Sequence, residues 1–106
     1  MEYKVVFSES AKKDLLDLYY YVAVNDSFEK ADKLIQSIEQ KCVTLFKNPG
    51  RGFKVKEFND NYPFLLKIIL KPYNIIYKIE GSIVSILAIL DGRRDMRNVL
   101  LSRFDN

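Results

Sequence analysis

The sequence lacks the residues on which most hydrolytic and metal-dependent sites are built. It contains no histidine and no tryptophan, a single cysteine (Cys42) and only four glycines in 106 residues. Without histidine, Ser/His/Asp and Cys/His nucleophilic catalysis, histidine-bound metals and the commonest general base are excluded. One cysteine cannot build an ordinary zinc site, and none of the glycines lies in a phosphate-binding loop motif. The sequence therefore leaves two classes of protein: a binding protein, or an enzyme that works without these groups.

Long hydrophobic runs are also missing. The longest stretch without a charged residue, Gly81 to Leu90, is about half as long as a membrane-spanning helix. No cationic segment followed by an apolar run opens the chain, so we expect no signal peptide. The lone cysteine cannot form an internal disulfide, which suits a reducing compartment. We therefore expect one cytoplasmic domain over residues 1–106, with no cofactor, no bound metal and no membrane partner.

The positive charge is concentrated in the second half of the chain. The formal net charge is only +3, but residues 1–48 carry seven lysines and no arginine against eight acids, a net of −1. Residues 49–106 carry ten lysines and arginines, among them all five arginines, against six acids, a net of +4. This distribution favours a basic face that meets an anionic partner. A basic sheet edge kept from aggregating by its charge is the alternative.

The first half predicts a strand followed by a helical hairpin. Tyr3 to Phe7 has strand character, and Ser8 is a candidate N-cap for the helix that follows. A second amphipathic helix is predicted to open at Asp26, with Glu29 completing a capping box, and to end at Asn48-Pro49-Gly50. Because so few residues join the two helices, we expect them to lie antiparallel.

Three side chains of these helices could carry chemistry, and each has a simpler interpretation. Cys42 falls within the apolar stripe of the second helix, which predicts a small core residue. Asp14 and Asp17 are predicted to lie on the exposed side of the first helix. We interpret both carboxylates as solvating groups and not as acid–base catalysts.

The second half changes from a period of 3.6 residues to a period of two. Phe53 and Val55 alternate with lysines, as in a half-exposed strand. The more continuous apolar run from Phe64 to Leu70 predicts a central strand covered on both faces. Two further strands, Asn74 to Ile79 and Ser82 to Leu90, are joined at Glu80-Gly81, and a short helix spans Asp95 to Phe104.

These elements predict an α+β fold. An N-terminal strand precedes an antiparallel helical hairpin packed on a mostly antiparallel sheet, in the order β-α-α-β-β-β, and a short C-terminal helix follows. We expect the helices to pack on one face of the sheet, so that both apolar surfaces are buried.

The segment from Ala88 to Met96 has the clearest chemical character. It places Arg93 and Arg94 just after a hydrophobic strand, where guanidinium groups could meet carboxylates or phosphates. Neighbouring residues at a strand exit tend to point to opposite sides, so we expect one arginine to pair inward with a carboxylate such as Asp95. The other would then face a partner. A purely structural role, tying the strand end to the helical hairpin, is the alternative.

Several short segments, spread over nearly the whole chain, match a known pattern in their order and spacing. They are Val6-Phe7-Ser8, Ala11, Asp14-Leu15, Tyr73 to Ile79, Glu80-Gly81, and Ile86 to Ile89 leading into Gly92-Arg93-Arg94-Asp95. Together they resemble the RelE/ParE toxin family, and specifically its ParE-like branch, a plasmid stabilisation family. The chain departs from this pattern at Asp91, where members commonly have histidine.

The resemblance implies the toxin of a bacterial type II toxin–antitoxin system, held inactive in a hetero-oligomer by a cognate antitoxin. ParE-type toxins poison DNA gyrase, whereas RelE-type toxins cut messenger RNA on the ribosome with arginines and a late tyrosine or histidine. Here no histidine exists and no tyrosine follows Tyr77. We therefore expect a non-enzymatic gyrase inhibitor, with no catalytic residue.

Two alternatives remain open. One is a RelE-like endoribonuclease that holds the phosphate with Lys54, Lys56, Arg93 and Arg94. The other is a non-toxic binding module of the same fold. For either a target or an antitoxin, the candidate contact residues are Arg93, Arg94, Arg97, Lys54 and Lys56.

Overall fold

The computed structural model describes residues 2–55, 62–93 and 95–104. The elements are β1 (Lys4–Phe7), α1 (Glu9–Asn25), α2 (Phe28–Val43), β2 (Phe53–Lys54), β3 (Leu66–Leu70), β4 (Tyr73–Glu80), β5 (Ile83–Asp91) and α3 (Met96–Phe104). This order confirms the predicted α+β fold, and the half-exposed strand predicted around Phe53 and Val55 is present as the two-residue strand β2. None of the helices in the described ranges has the length and apolar character needed to span a lipid bilayer.

The five strands form one mixed sheet in the order β1-β5-β4-β3-β2. β1 pairs parallel with β5, and the other neighbouring strands pair antiparallel. β4 and β5 therefore lie inside the sheet, with a strand on each side. Their long apolar runs suit this position, because strands inside a sheet that is covered on both faces are apolar on both sides.

The helices cover both faces of the sheet, so the prediction that they share one face is wrong. α1 and α2 pack on one face, where Ile38, Cys42 and Ile75 belong to the same buried cluster. α3 packs on the other face, where Leu100 and Ile76 belong to a second buried cluster. Consecutive residues of β4 belong to different clusters, so this strand has apolar side chains on both faces of the sheet. Each face therefore needs helices that cover it.

Serine residues cap the first two helices. The Ser8 hydroxyl oxygen accepts a hydrogen bond from the backbone N–H of Ala11, and that of Ser27 accepts one from Lys30, each at 3.1 Å. The predicted capping box at Asp26 is therefore wrong. Asp26 instead ends α1, because its backbone N–H still donates to the carbonyl of Val22. The following serine is the first residue free to adopt the extended backbone of an N-cap.

A β-bulge interrupts the pairing of β4 with β5. Ile76 pairs with Ala88 and Tyr77 with Ile86, which leaves Leu87 without an opposite residue. The extra residue keeps Ile86 and Ile89 on the same face of the sheet, although three positions separate them. The predicted strand from Ser82 to Leu90 is thus present but is not a regular alternation.

The boundaries of two predicted strands shift. The strand predicted from Phe64 begins at Leu66, and the Phe64 and Ile69 side chains are 53% and 41% exposed. It is not covered on both faces, so this part of the prediction is wrong. The β4–β5 turn is formed by Gly81 and Ser82, where the glycine has a φ of +59° that favours a residue without a side chain.

A buried tyrosine holds the turn between α2 and β2. The Tyr77 hydroxyl donates to the carbonyl of Pro49 at 2.6 Å and accepts from the N–H of Gly52 at 3.1 Å. A Cβ atom at Gly52 would overlap the Tyr77 hydroxyl and lie 2.8 Å from the backbone oxygen of Lys67. The turn can approach the sheet this closely only because residue 52 has no side chain.

We predict that Gly52→Ala destabilises the protein by about 1–3 kcal/mol, because the added methyl group must displace the turn or the tyrosine. Gly50→Ala is the matched control, since no atom lies within 4 Å of its added Cβ, and it should change stability by less than about 0.5 kcal/mol. Urea unfolding measures both free energies. Equal effects of the two substitutions would contradict the close packing at Gly52.

Candidate functional site

Arg93 pairs with Asp91 and not with Asp95, so it is not the inward-facing arginine of the prediction. The Arg93 side chain is 80% exposed and donates from Nε and Nη2 to the two oxygens of Asp91, at 3.0 and 2.6 Å. The backbone N–H of Arg93 also donates to Asp91, at 2.9 Å. The intervening Gly92 donates its N–H to the carbonyl of Pro72, and this turn brings residue 93 back over residue 91.

Asp95 has a local role instead. One carboxylate oxygen accepts from the backbone N–H of Asn98 at 3.2 Å, and the other accepts from the amide side chain of Asn98 at 2.8 Å. This is the geometry of an N-cap at the start of α3. Arg94 lies outside the described residues.

The other described contact residues, Lys54 and Arg97, lie in different elements. Lys54 lies in β2 at the edge of the sheet, and Arg97 lies in α3 with its side chain exposed. β3 and β4 separate β2 from β5, which places Lys54 about 14 Å from the strand that leads to Arg93. Lys56 lies outside the described residues. Lys54 and Arg93 therefore belong to different parts of the surface.

The least exposed ion pair of the described residues joins two helices that pack on opposite faces of the sheet. Asp14 of α1 accepts from both terminal nitrogens of Arg103 in α3, at 2.5 and 2.8 Å. Their side chains are only 12% and 22% exposed. One Asp14 oxygen also accepts from the backbone N–H of Ile89 at 2.9 Å, and Arg103 donates to the carbonyl of Leu87 at 3.2 Å. The prediction that Asp14 is exposed is therefore wrong.

The backbone of β5 explains this pair. β1 ends at Phe7, opposite Ile86, and the chain then turns into α1. The bulge directs the carbonyl of Leu87 and the N–H of Ile89 to the edge that β1 has left. Backbone groups at a partly buried edge need hydrogen-bond partners. Asp14 and Arg103 supply these hydrogen-bond partners, which a longer β1 would otherwise provide.

The sequence contains a signal for this pair that periodicity could have found. Asp14 lies three residues after Ala11 and four before Leu18, so it falls on the buried face of α1. Arg103 lies three residues after the buried Leu100 on α3. A charged residue on an apolar face predicts a partner of opposite charge.

A hollow of about 450 Å³ lies beside this pair, between α1 and the ends of β4 and β5. Tyr21, Tyr73, Asp17 and Asp91 are among its lining residues, and Arg93 closes one side. Burial, and then the charge of Asp91, raise the pKa of Tyr73, so its hydroxyl stays protonated at neutral pH. Tyr73 therefore offers the hollow a hydrogen-bonding hydroxyl and not a tyrosinate base.

Cys42 is a core residue, as predicted. It is fully buried in the cluster beneath α1 and α2. Burial, with a smaller contribution from the charge of Glu39, raises the pKa of its thiol to about 12. It is a thiol and not a nucleophilic thiolate at neutral pH. Across the described ranges, no group of three or more acidic or cysteine side chains could hold a metal ion.

The sequence was compared with known protein families. The model of the family described as the ParE toxin of the type II toxin–antitoxin system parDE matches residues 5–96. The chain belongs to the ParE toxin family. The match runs from β1 to the first residue of α3, and it confirms the predicted ParE-like toxin. Among curated protein sequences, no significant match was found.

Solved toxin structures have the same fold as this ParE-family chain. A chromosomal ParDE toxin–antitoxin system from P. aeruginosa matches with a TM-score of 0.73 and 22% identity, over 85% of this chain and 96% of that one. The RelBE2 toxin–antitoxin complex from Mycobacterium tuberculosis matches with a TM-score of 0.65 and 18% identity, over 86% and 99%. The free E. coli toxin RelE, a double arginine-to-alanine mutant, matches with a TM-score of 0.65 and 18% identity, over 98% of this chain and 99% of that one.

We predict a coupling energy of about 1.5–3 kcal/mol between Asp14 and Arg103, because their bonds are charge-assisted and partly buried. A double-mutant cycle with Asp14→Asn and Arg103→Met, measured by urea unfolding, gives this energy. The asparagine oxygen can still accept from Ile89, so the cycle isolates the ion pair.

The pair Lys13–Asp17 on the same helix is the matched control. Its atoms are 3.8 Å apart and its side chains are 78% and 66% exposed, so its coupling should stay below about 0.5 kcal/mol. A coupling between Asp14 and Arg103 no larger than this control would contradict their structural role.

Proposed function

We propose that this ParE-family chain is a toxin that acts in the bacterial cytoplasm by binding DNA gyrase, and that a cognate antitoxin neutralises it in a hetero-oligomer. The observation that carries the proposal is the match of the ParE toxin family over residues 5–96. Gyrase is the target that the resemblance to ParE-type toxins implies. The P. aeruginosa and M. tuberculosis matches are toxin–antitoxin assemblies, which supports an antitoxin partner.

The polar contacts favour binding over catalysis. RNA cleavage through the 2′-hydroxyl benefits from a base, an acid and cations around one phosphate. In the described part of the chain, Asp14 is held by Arg103 and Asp91 by Arg93. The Tyr77 hydroxyl is occupied by backbone groups. These groups stabilise the fold and are poorly placed to exchange protons with a substrate.

A RelE-like endoribonuclease is the second candidate, because the fold also matches RelE with a TM-score of 0.65. Its phosphate would be held by Lys54, Lys56, Arg93 and Arg94. Two intervening strands separate Lys54 from the strand that ends beside Arg93. This separation, together with the absence of histidine from the sequence, makes RNA cleavage the weaker candidate.

The exposed arginines after β5 are the proposed contacts with the target. Arg93 is anchored to Asp91 and still presents most of its surface to solvent. Arg97 is exposed in the first turn of α3, and Arg94 lies between Arg93 and Arg97 in the sequence. Lys54, in the edge strand β2, is then available for the antitoxin, together with Lys56 two positions later in the sequence.

We predict that the chain expressed alone slows growth and that the protein encoded by the adjoining reading frame restores it. Purified toxin should inhibit supercoiling by gyrase while messenger RNA on ribosomes stays intact. Arg93→Ala should reduce this inhibition but leave stability nearly unchanged, because the Arg93 side chain is 80% exposed.

Lys33→Ala is the matched control, since Lys33 is an ion-paired cation with 73% exposure on α2. It should leave both gyrase inhibition and stability unchanged. Codon-positioned cleavage of messenger RNA with unaffected gyrase would replace the gyrase proposal with the RelE-like one. Normal growth with abundant folded toxin would leave only a non-toxic binding module.

A further inference from the structure

The outer edge of β3 is only partly covered by β2. Phe53 pairs with Lys67 and Lys54 with Leu66, and the N–H of Val55 donates to the carbonyl of Leu65. In an antiparallel pair, alternate residues direct their backbone groups to the same neighbour. Residue 69 therefore directs its N–H and C=O outward, as residues 65 and 67 do. β2 begins at Phe53, so no strand residue within the described ranges stands opposite Ile69.

Cations and apolar side chains surround this open edge. A hollow of about 310 Å³ lies there, lined by Lys41 at the end of α2, Arg51, Phe53, Ile68 and Ile69. The Phe53 side chain is 64% exposed and that of Ile69 is 41% exposed. Among the described residues, no carboxylate belongs to the lining. In the ion pairs among described residues, neither of the two cations takes part.

The buried Tyr77 fixes the position of Arg51 beside the edge. Its hydroxyl forms hydrogen bonds with the backbone of Pro49 and of Gly52. These two residues flank the turn that contains Arg51. Arg51 is also close enough that its charge opposes the rise in the pKa of Tyr77 that burial causes. Because the turn is held before any partner arrives, less conformational entropy is lost when its cation is engaged.

We propose that an acidic, extended segment of the antitoxin adds to the sheet as a strand along β3 at Ile69. Its backbone pairs with the outward N–H and C=O of Ile69, and its carboxylates meet Lys41 and Arg51. Its apolar side chains pack on Phe53. The inference rests on the proposed function, because the antitoxin is the partner. A polypeptide fits this edge better than a nucleic acid does, since backbone groups and apolar side chains lie between the cations.

The test measures the affinity of the toxin for the purified protein of the adjoining reading frame by calorimetry. Ile69→Pro removes the outward N–H but leaves the pairing with β4, because proline is tolerated where the N–H faces solvent. It should weaken binding about tenfold or more, since a backbone bond is lost and the ring obstructs an added strand. Ile69→Thr keeps the N–H and should bind within about threefold of the wild type.

A charge reversal provides the second comparison. Arg51→Glu should weaken binding about tenfold and reduce its dependence on salt. Lys4→Glu is the matched control, because it makes the same change of charge on an exposed lysine in β1, at the opposite edge of the sheet. It should change the affinity less than about twofold.

Amide hydrogen exchange makes the test independent of the folding of any variant. In the wild-type complex, exchange of the Ile69 amide should slow relative to the free toxin. An unchanged Ile69 amide, or Arg51→Glu and Lys4→Glu with equal affinities, would overturn the docking site and leave the proposed function standing. If the wild-type toxin bound duplex DNA at this edge but not the adjoining protein, the proposed function itself would be wrong.

Discussion

The central constraint on this fold is the edge of β5 that β1 leaves open. β5 carries core residues on both faces, so the sheet depends on it, yet its parallel neighbour ends at Phe7. Past that point the backbone groups of Leu87 and Ile89 are satisfied by Ser8, Asp14 and Arg103. An unpaired buried backbone group costs about 1–3 kcal/mol. A carboxylate from one helix and a guanidinium from another thus complete the sheet and join its two helical layers.

This constraint also limits the chemistry that the protein can perform. Asp14, the least exposed described carboxylate beside the hollow between α1 and the ends of β4 and β5, already binds a cation and a backbone amide. Arg103 is committed to the same contact. The exposed groups around the hollow include the cation Arg93 and the aromatic Tyr21, which suit contact with another macromolecule, and the carboxylate of Asp17. The fold of a toxin that binds its target is consistent with this distribution.

Local patterns in the sequence predicted the features that depend on neighbouring residues. The helical hairpin, the succession of strands along the chain and the burial of Cys42 all follow from periodicity within a few turns or strands. The bulge at Leu87, the face chosen by α3 and the exposure of Ile69 depend on pairing across the sheet, which no local pattern encodes. Asp14 and Arg103 lie 89 positions apart. Each was identifiable as a charge on an apolar face, but only the fold brings the two together.

The amide of Ile89 tests most directly whether side chains replace a strand at this edge. Its hydrogen exchange should be slow in the native protein, close to that of the β4–β5 ladder. Asp14→Ala should accelerate Ile89 about tenfold more than the ladder amides, because only Ile89 loses its acceptor. An Ile89 amide that exchanges as fast as a solvated one in the native protein, or one unaffected by Asp14→Ala, would contradict the account.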